Sequence, residues 1–214
     1  MKTIISSFLI AASLSLFGQT ATADLGVVIN GVRWATCNVG EPGKFVAKPE
    51  DAGGVFQWNR RTAWKSMPKD GNVGTIPVDF LSAYPGGNAW ERANDPSPEG
   101  WRVPTSEELK KLLDTNRVSN TWITQNGIAG RRFTDLATGA SIFIPAVGRW
   151  WADINAQRPE IKMTDVGKGG YYWCSNPRTV DILTAWTLDF TAGKAEIHFQ
   201  HRTFCYMIRP VAIK

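Results

Sequence analysis

The chain has 214 residues, 43% of them hydrophobic and 20% charged, proportions that exclude wholesale disorder and fit one ordinary domain or two very small ones. Its 24 basic side chains, 23 once Lys2 is set aside, face 19 acidic ones. They stand as scattered pairs (Arg60-Arg61, Lys110-Lys111, Arg131-Arg132) and not as the concentrated patch that displaces counterions from DNA or RNA, so no nucleic-acid partner is expected.

Residues 1–23 read as a leader. Lys2 gives a short positive start, Ile4 to Phe17 an apolar stretch diluted by serines, and Ala21-Thr22-Ala23 a small-x-small pattern before Asp24. The apolar stretch is shorter than the roughly 20 residues a membrane anchor needs, and no cysteine stands near the cleavage point to carry a lipid. The expectation is a signal peptide over 1–23 and a single domain over 24–214 with no transmembrane segment. Such a chain is exported and soluble, whether secreted, at the cell surface or in the periplasm.

Next come two β-rich runs around Asn30-Gly31, the strongest short hairpin signal. Gly53 to Trp58 reads as a short strand. Residues 59–100, rich in Gly, Pro, Asn and Trp, read as long ordered loops packed by Trp64, Trp90 and Trp101. Thr105-Ser106-Glu107-Glu108 is a capping box, and Leu109, Leu112 and Leu113 form the apolar stripe of the helix it starts. A hairpin follows over 121–134, turning at Asn126-Gly127, and then a buried strand from Ser141 to Ile144. Gly170 to Ser175, Ala185 to Phe190, Ala195 to Gln200 and Phe204 to Val211 complete a β-rich half. One or two helices with short, mostly antiparallel strands predict an α+β fold.

Chemistry is sparse. Cys37, Cys174 and Cys205 form no CxxC, which removes the usual zinc and redox motifs. Export favours pairing of two of the three. Cys174 and Cys205 both fall in strands of the β-rich half, although spacing alone does not fix connectivity, and Cys37 reads as a buried thiol in a strand beside Trp34. His198 and His201 are the only histidines. A metal site needs a third ligand, for which Asp189 or Glu196 stand nearest, but the spacing does not compel one, and no metal or cofactor is expected. No GxSxG, HExxH, Walker or GxGxxG string occurs, so an enzyme is the minority reading. Aromatics carry more signal: Trp150-Trp151, Tyr171-Tyr172-Trp173 and Trp186 lie near Arg149, Asp153, Arg178 and Asp181, the mixture used for sugar faces and protein hot spots.

The strings GVRWATCNVG, PEDAGGVFQWNR, WERANDPSPEGWRVPTSEELKKLL, GGYYWCSN and RTFCYMIRPV occur in that order. Together they resemble the Fibrobacter succinogenes major paralogous domain of exported Bacteroidetes proteins, over nearly all of 24–214, most specifically in GWRVPTSEEL. That family is similar to the C-type lectin-like fold shared with formylglycine-generating enzymes and retroelement-diversified proteins. The resemblance implies a surface or secreted binding module. Ser97 and Pro210 replace cysteines common in the family, while Cys174 and Cys205 stand where serine and glycine are usual, an exchange that favours a Cys174–Cys205 disulfide. The closely spaced C-terminal cysteines of formylglycine-generating enzymes and the EPN, QPD and WND motifs of calcium-dependent lectins are missing. In diversified relatives variation concentrates between the YYW strand and the terminal RPV, here Asn176 to Arg202.

The expected ligand face therefore comprises Trp150, Trp151, Arg178, Asp181, Trp186, His198, His201 and Arg202. Truncating Arg202 is expected to spare the fold, whereas Trp151 is a possible core ring. The main functional expectation is an adhesin-like module recognising a glycan or a protein at the cell surface. Alternatives are a structural accessory subunit of a surface fibre and an envelope-acting enzyme using His198, His201 and Asp189.

Overall fold

A computed structural model describes residues 24–64, 86–153 and 160–214. The expected signal peptide and part of the expected long loops, residues 65–85, lie outside the described residues. β1 (Val27–Ile29) and β2 (Val32–Trp34) pair antiparallel across Asn30 and Gly31, whose φ of 46° and 74° give the left-handed turn that matches strand twist. β3 (Phe56–Gln57) and β4 (Trp101–Arg102) are short. Between them Trp90 is buried edge-on to Trp58, Trp101 meets Phe45, and Trp64 is half-buried, the aromatic packing expected of these loops.

α1 (Ser106–Leu112) starts at the expected capping box. Thr105 Oγ1 accepts from the Glu108 amide, and Glu108 Oε2 accepts from the Thr105 amide at 2.8 Å. Leu109 and Leu112 face the core. β5 (Val118–Gln125) and β6 (Ile128–Asp135) turn at Asn126 and Gly127 (φ 48° and 82°), and β7 (Ser141–Pro145) extends them into a three-stranded sheet. β8 (Val147–Asp153) and β9 (Glu160–Val166), a hairpin the sequence reading does not contain, pair antiparallel. β10 (Gly169–Arg178), β11 (Asp181–Thr191) and β12 (Ala195–His201) are long antiparallel neighbours. The chain ends in β13 (Cys205–Tyr206) and β14 (Val211–Ala212).

A seven-stranded sheet runs β12-β11-β10-β8-β13-β3, with β9 on β8, and a four-stranded sheet runs β1-β2-β14-β4. The protein is mostly β with one short α-helix among the described residues. Apolar side chains fill both faces of the large sheet. One face carries Tyr172, Cys174, Leu188 and Phe190 into a core with α1, β1, β2 and the three-stranded sheet. The other carries Trp173 and Ala185 into a core with Phe56, Trp58, Trp90, Tyr206 and Ile208.

Two expectations are corrected. Phe204 to Val211 is not one strand: the chain leaves the large sheet after Tyr206 and joins the small sheet at Val211, where Pro210 presents its carbonyl to the Ala35 amide. Cys37 sits in a bend, not a strand, held by Asp24 Oδ2, which accepts from the Thr36 and Cys37 amides. All three cysteines are buried and free. The parallel bridge of Tyr172 with Met207 places Cys174 abreast of Arg209, and Cys205 abreast of Gly170. That offset is about 13 Å at strand rise, roughly twice the Cα separation a disulfide spans, so this register does not bridge Cys174 to Cys205. No helix among the described residues is long and apolar enough to cross a membrane.

Candidate functional site

Strand register decides which side chains meet. Tyr171 lies opposite Asp189, Thr187 opposite His198 and Asp189 opposite Glu196, so these share one face. Tyr172, Leu188, Trp186, Ile197 and Phe199 point to the other. Arg149 reaches the first face from β8. Its guanidinium lies 4.9 Å over the Tyr171 ring and its Nε is 3.4 Å from Asp165 Oδ2, the atom to which Tyr171 Oη donates at 2.9 Å. Asp165 turns the chain from β9 into β10 at φ 64°.

Together these strands enclose a cavity of about 210 Å³ lined by Arg149, Tyr171, Asp189, Lys194, Glu196 and His198. Asp189 is its chemical centre. Oδ2 accepts from Gln200 Nε2 at 3.0 Å and lies 3.8 Å from His198 Nδ1, while Oδ1 is shielded from solvent. Burial pushes the Asp189 carboxyl above the ordinary carboxylate range, against the pull of the Thr187 hydroxyl, Gln200, His198 and Arg149. Tyr206, also buried, packs its ring 5.6 Å from that of Tyr171, and its hydroxyl lies beside Arg149. Burial and Asp165 push Tyr171 to about 12, so both phenols stay protonated donors.

A larger hollow of about 590 Å³ lies between Lys48–Ala52, the Asn126-Gly127 turn and Gly167. Its one buried carboxylate, Glu50, already accepts from Gln125 and Asn126.

The expected ligand face divides. His198 lines the cavity. Arg178 and Trp186 lie on the opposite face around Phe199, with the Arg178 guanidinium 3.9 Å over the ring and Trp186 edge-on at 6.1 Å. Asp181 accepts from the Leu183 amide at the β10–β11 turn, which lowers its pKa and that exposes Val180 and Ile182. His201 Nδ1 meets Thr203 Oγ1 at 2.7 Å, and burial lowers its pKa. Trp151 is half-buried on β8, and Trp150 is core.

Arg202 is a correction. It is 2% exposed, with its guanidinium 4.1 Å over Trp58, Nε donating to the Thr184 carbonyl and Nη1 to the Gly87 carbonyl. That makes it an internal brace and not a ligand contact. His198, His201 and Asp189 do not converge either, because His201 pairs with Thr184 on the far face. No group of three metal-ligating side chains is found among the described residues.

The sequence reading named Asp189 only as a possible acid, base or ligand, and it missed Tyr206 as a site residue. Apolar Trp186, Leu188 and Phe190 on alternate positions already imply that Thr187 and Asp189 face away from the helix-side core. No family model, curated protein or solved structure matches the chain.

Proposed function

We propose that this protein is an exported, non-enzymatic binding module of the C-type lectin-like kind that recognises a glycan at the cell surface through the Asp189 cavity. The leader-like residues 1–23 and the GWRVPTSEEL block support the export and family parts of the reading. The observation that carries the ligand class is the Asp189 carboxylate, its side chain 13% exposed, among Arg149, Tyr171 and His198. A sugar hydroxyl donating to the exposed part of that carboxylate gains a charge-assisted bond. Arg149 and His198 supply donors for the neighbouring hydroxyls, and Tyr171 supplies an aromatic wall. Binding is favoured over catalysis because His201 lies on the opposite face, which leaves the His198–Asp189 pair without the third group of the expected acid–base set.

A second reading, contact with a protein such as a surface-fibre component, is favoured by Val180 and Ile182, 76% and 75% exposed at the β10–β11 turn. A glycan array followed by calorimetry tests the first. The parent should bind a defined glycan, and Asp189→Ala and His198→Ala should each weaken it at least tenfold, about 1.4 kcal/mol, while melting as folded proteins. A silent array, or folded variants that bind like the parent, overturns it.

A further inference from the structure

β12 is the outermost strand on one side of the seven-stranded sheet, and no strand among the described residues pairs with its outer edge. It pairs with β11 in unbroken register from Phe190–Ala195 to Thr184–His201, without a bulge. The strand, AEIHFQH, contains no proline, lysine or arginine. Its one acidic side chain, Glu196, is tied at 2.6 Å to Lys194 outside the strand. None of the backbone groups of residues 195–200 has a partner beyond β11 among the described residues. Of the other edges, β1, β3 and β4 have two or three residues, the Asn120 carbonyl of β5 accepts from Arg131 and the Phe143 carbonyl of β7 from Arg209, and β9, as long as β12, carries Lys162 in its sequence. Long, regular, unprotected edges are templates for strand addition.

We infer that β12 is a self-association edge, pairing antiparallel with β12 of a second copy about a two-fold axis at His198. Only that centre uses all seven residues. It sets Ile197 against Phe199, an apolar cross-strand pair, and Glu196 against Gln200, acceptor against donor, with no like charges opposed. A two-fold through an antiparallel pair stands perpendicular to the sheet. Both Asp189 cavities then open on the same side of a continuous sheet, and a glycan presenting repeated units meets two sites at once. The inference rests on strand order and register, and it stands or falls independently of what the cavity binds.

Sedimentation velocity of the purified protein, from low to high micromolar concentration, should show a reversible monomer–dimer equilibrium, weak because the seam is one strand wide. Phe199→Lys, which places a cation in the seam, should abolish the dimer and leave the melting curve cooperative. His198→Cys should give a disulfide-linked dimer on mild oxidation, since residues facing each other across an antiparallel pair stand at bridging distance. Thr179→Cys, on the exposed turn, should not; the three native thiols are buried and do not compete. A monomer at every concentration, a dimer that survives in folded Phe199→Lys, or cross-linking of His198→Cys no faster than Thr179→Cys overturns the inference. If Phe199→Lys fails to fold, the cross-linking pair decides alone.

Discussion

Replacing Arg202 by alanine should damage the fold before it touches any ligand. The side chain makes two charge-assisted bonds, to the Thr184 and Gly87 carbonyls, and covers the Trp58 ring at 4.1 Å. Burial lowers its pKa, yet a guanidinium stays charged at any ordinary pH, so the cation is always present. Bonds of this kind contribute about 1.5–3 kcal/mol each, and a desolvated cation over an indole about 2. These terms overlap, and the two carbonyls left buried and unpaired cost about 1–3 kcal/mol each, so a loss of about 3–5 kcal/mol is expected. For a chain of this size each kilocalorie moves the midpoint by about 2–4 °C, giving a fall of roughly 6–20 °C. Differential scanning calorimetry of parent and variant at neutral pH reads this directly. Arg202→Lys should recover little, because an ammonium lacks the planar fork that stacks on Trp58 while reaching two carbonyls. A midpoint within about 2 °C of the parent, with ligand binding lost, would refute the brace and return Arg202 to the binding surface.

Asp189 should behave in the opposite sense. Its folded pKa is raised by burial, so its contribution to stability is greatest below the unfolded aspartate pKa and is lost as pH rises through the folded value. Asp189→Asn should therefore melt higher than the parent at neutral pH, with the gap shrinking towards acid and glycan binding lost; a pH-independent gap refutes the linkage. The cysteines should titrate as three free thiols in denaturant without reductant and as almost none in the native protein. A denatured count of one would reinstate the Cys174–Cys205 bridge and require a shift of the β10–β13 register.

Local signals carried much of the fold. Asn30-Gly31 and Asn126-Gly127 mark both tight hairpins, and Thr105 with Glu108 marks the helix start, because each is settled within four residues. The β8–β9 hairpin is not legible, since Trp150-Trp151 gives no alternation strong enough to separate strand from loop. The break after Tyr206 is not legible either, because it depends on two sheets competing for one segment. The cavity draws Arg149, Asp165, Tyr171, Asp189 and His198 from β8, the β9–β10 turn and β10 to β12, so only register brings them together. Arginine misled in a particular way: Arg131 read as one of the scattered basic pairs and Arg202 as a ligand contact, yet both are buried and hold main-chain carbonyls.

The placement of β13 and β14 has a consequence for how the chain acquires its structure. Val211 pairs with both Trp34 and Arg102, and Cys205 with both Gln57 and Trp150, so residues 205–211 close two sheets by pairing with strands made as early as Val32–Trp34 and Phe56–Gln57. Loop closure over such distances is slow, and the early strands, two or three residues long, hold little on their own. A nascent chain without this segment leaves both sheets unclosed. Folding is thereby postponed until the whole chain is available, when the last strands made lock the first ones in place.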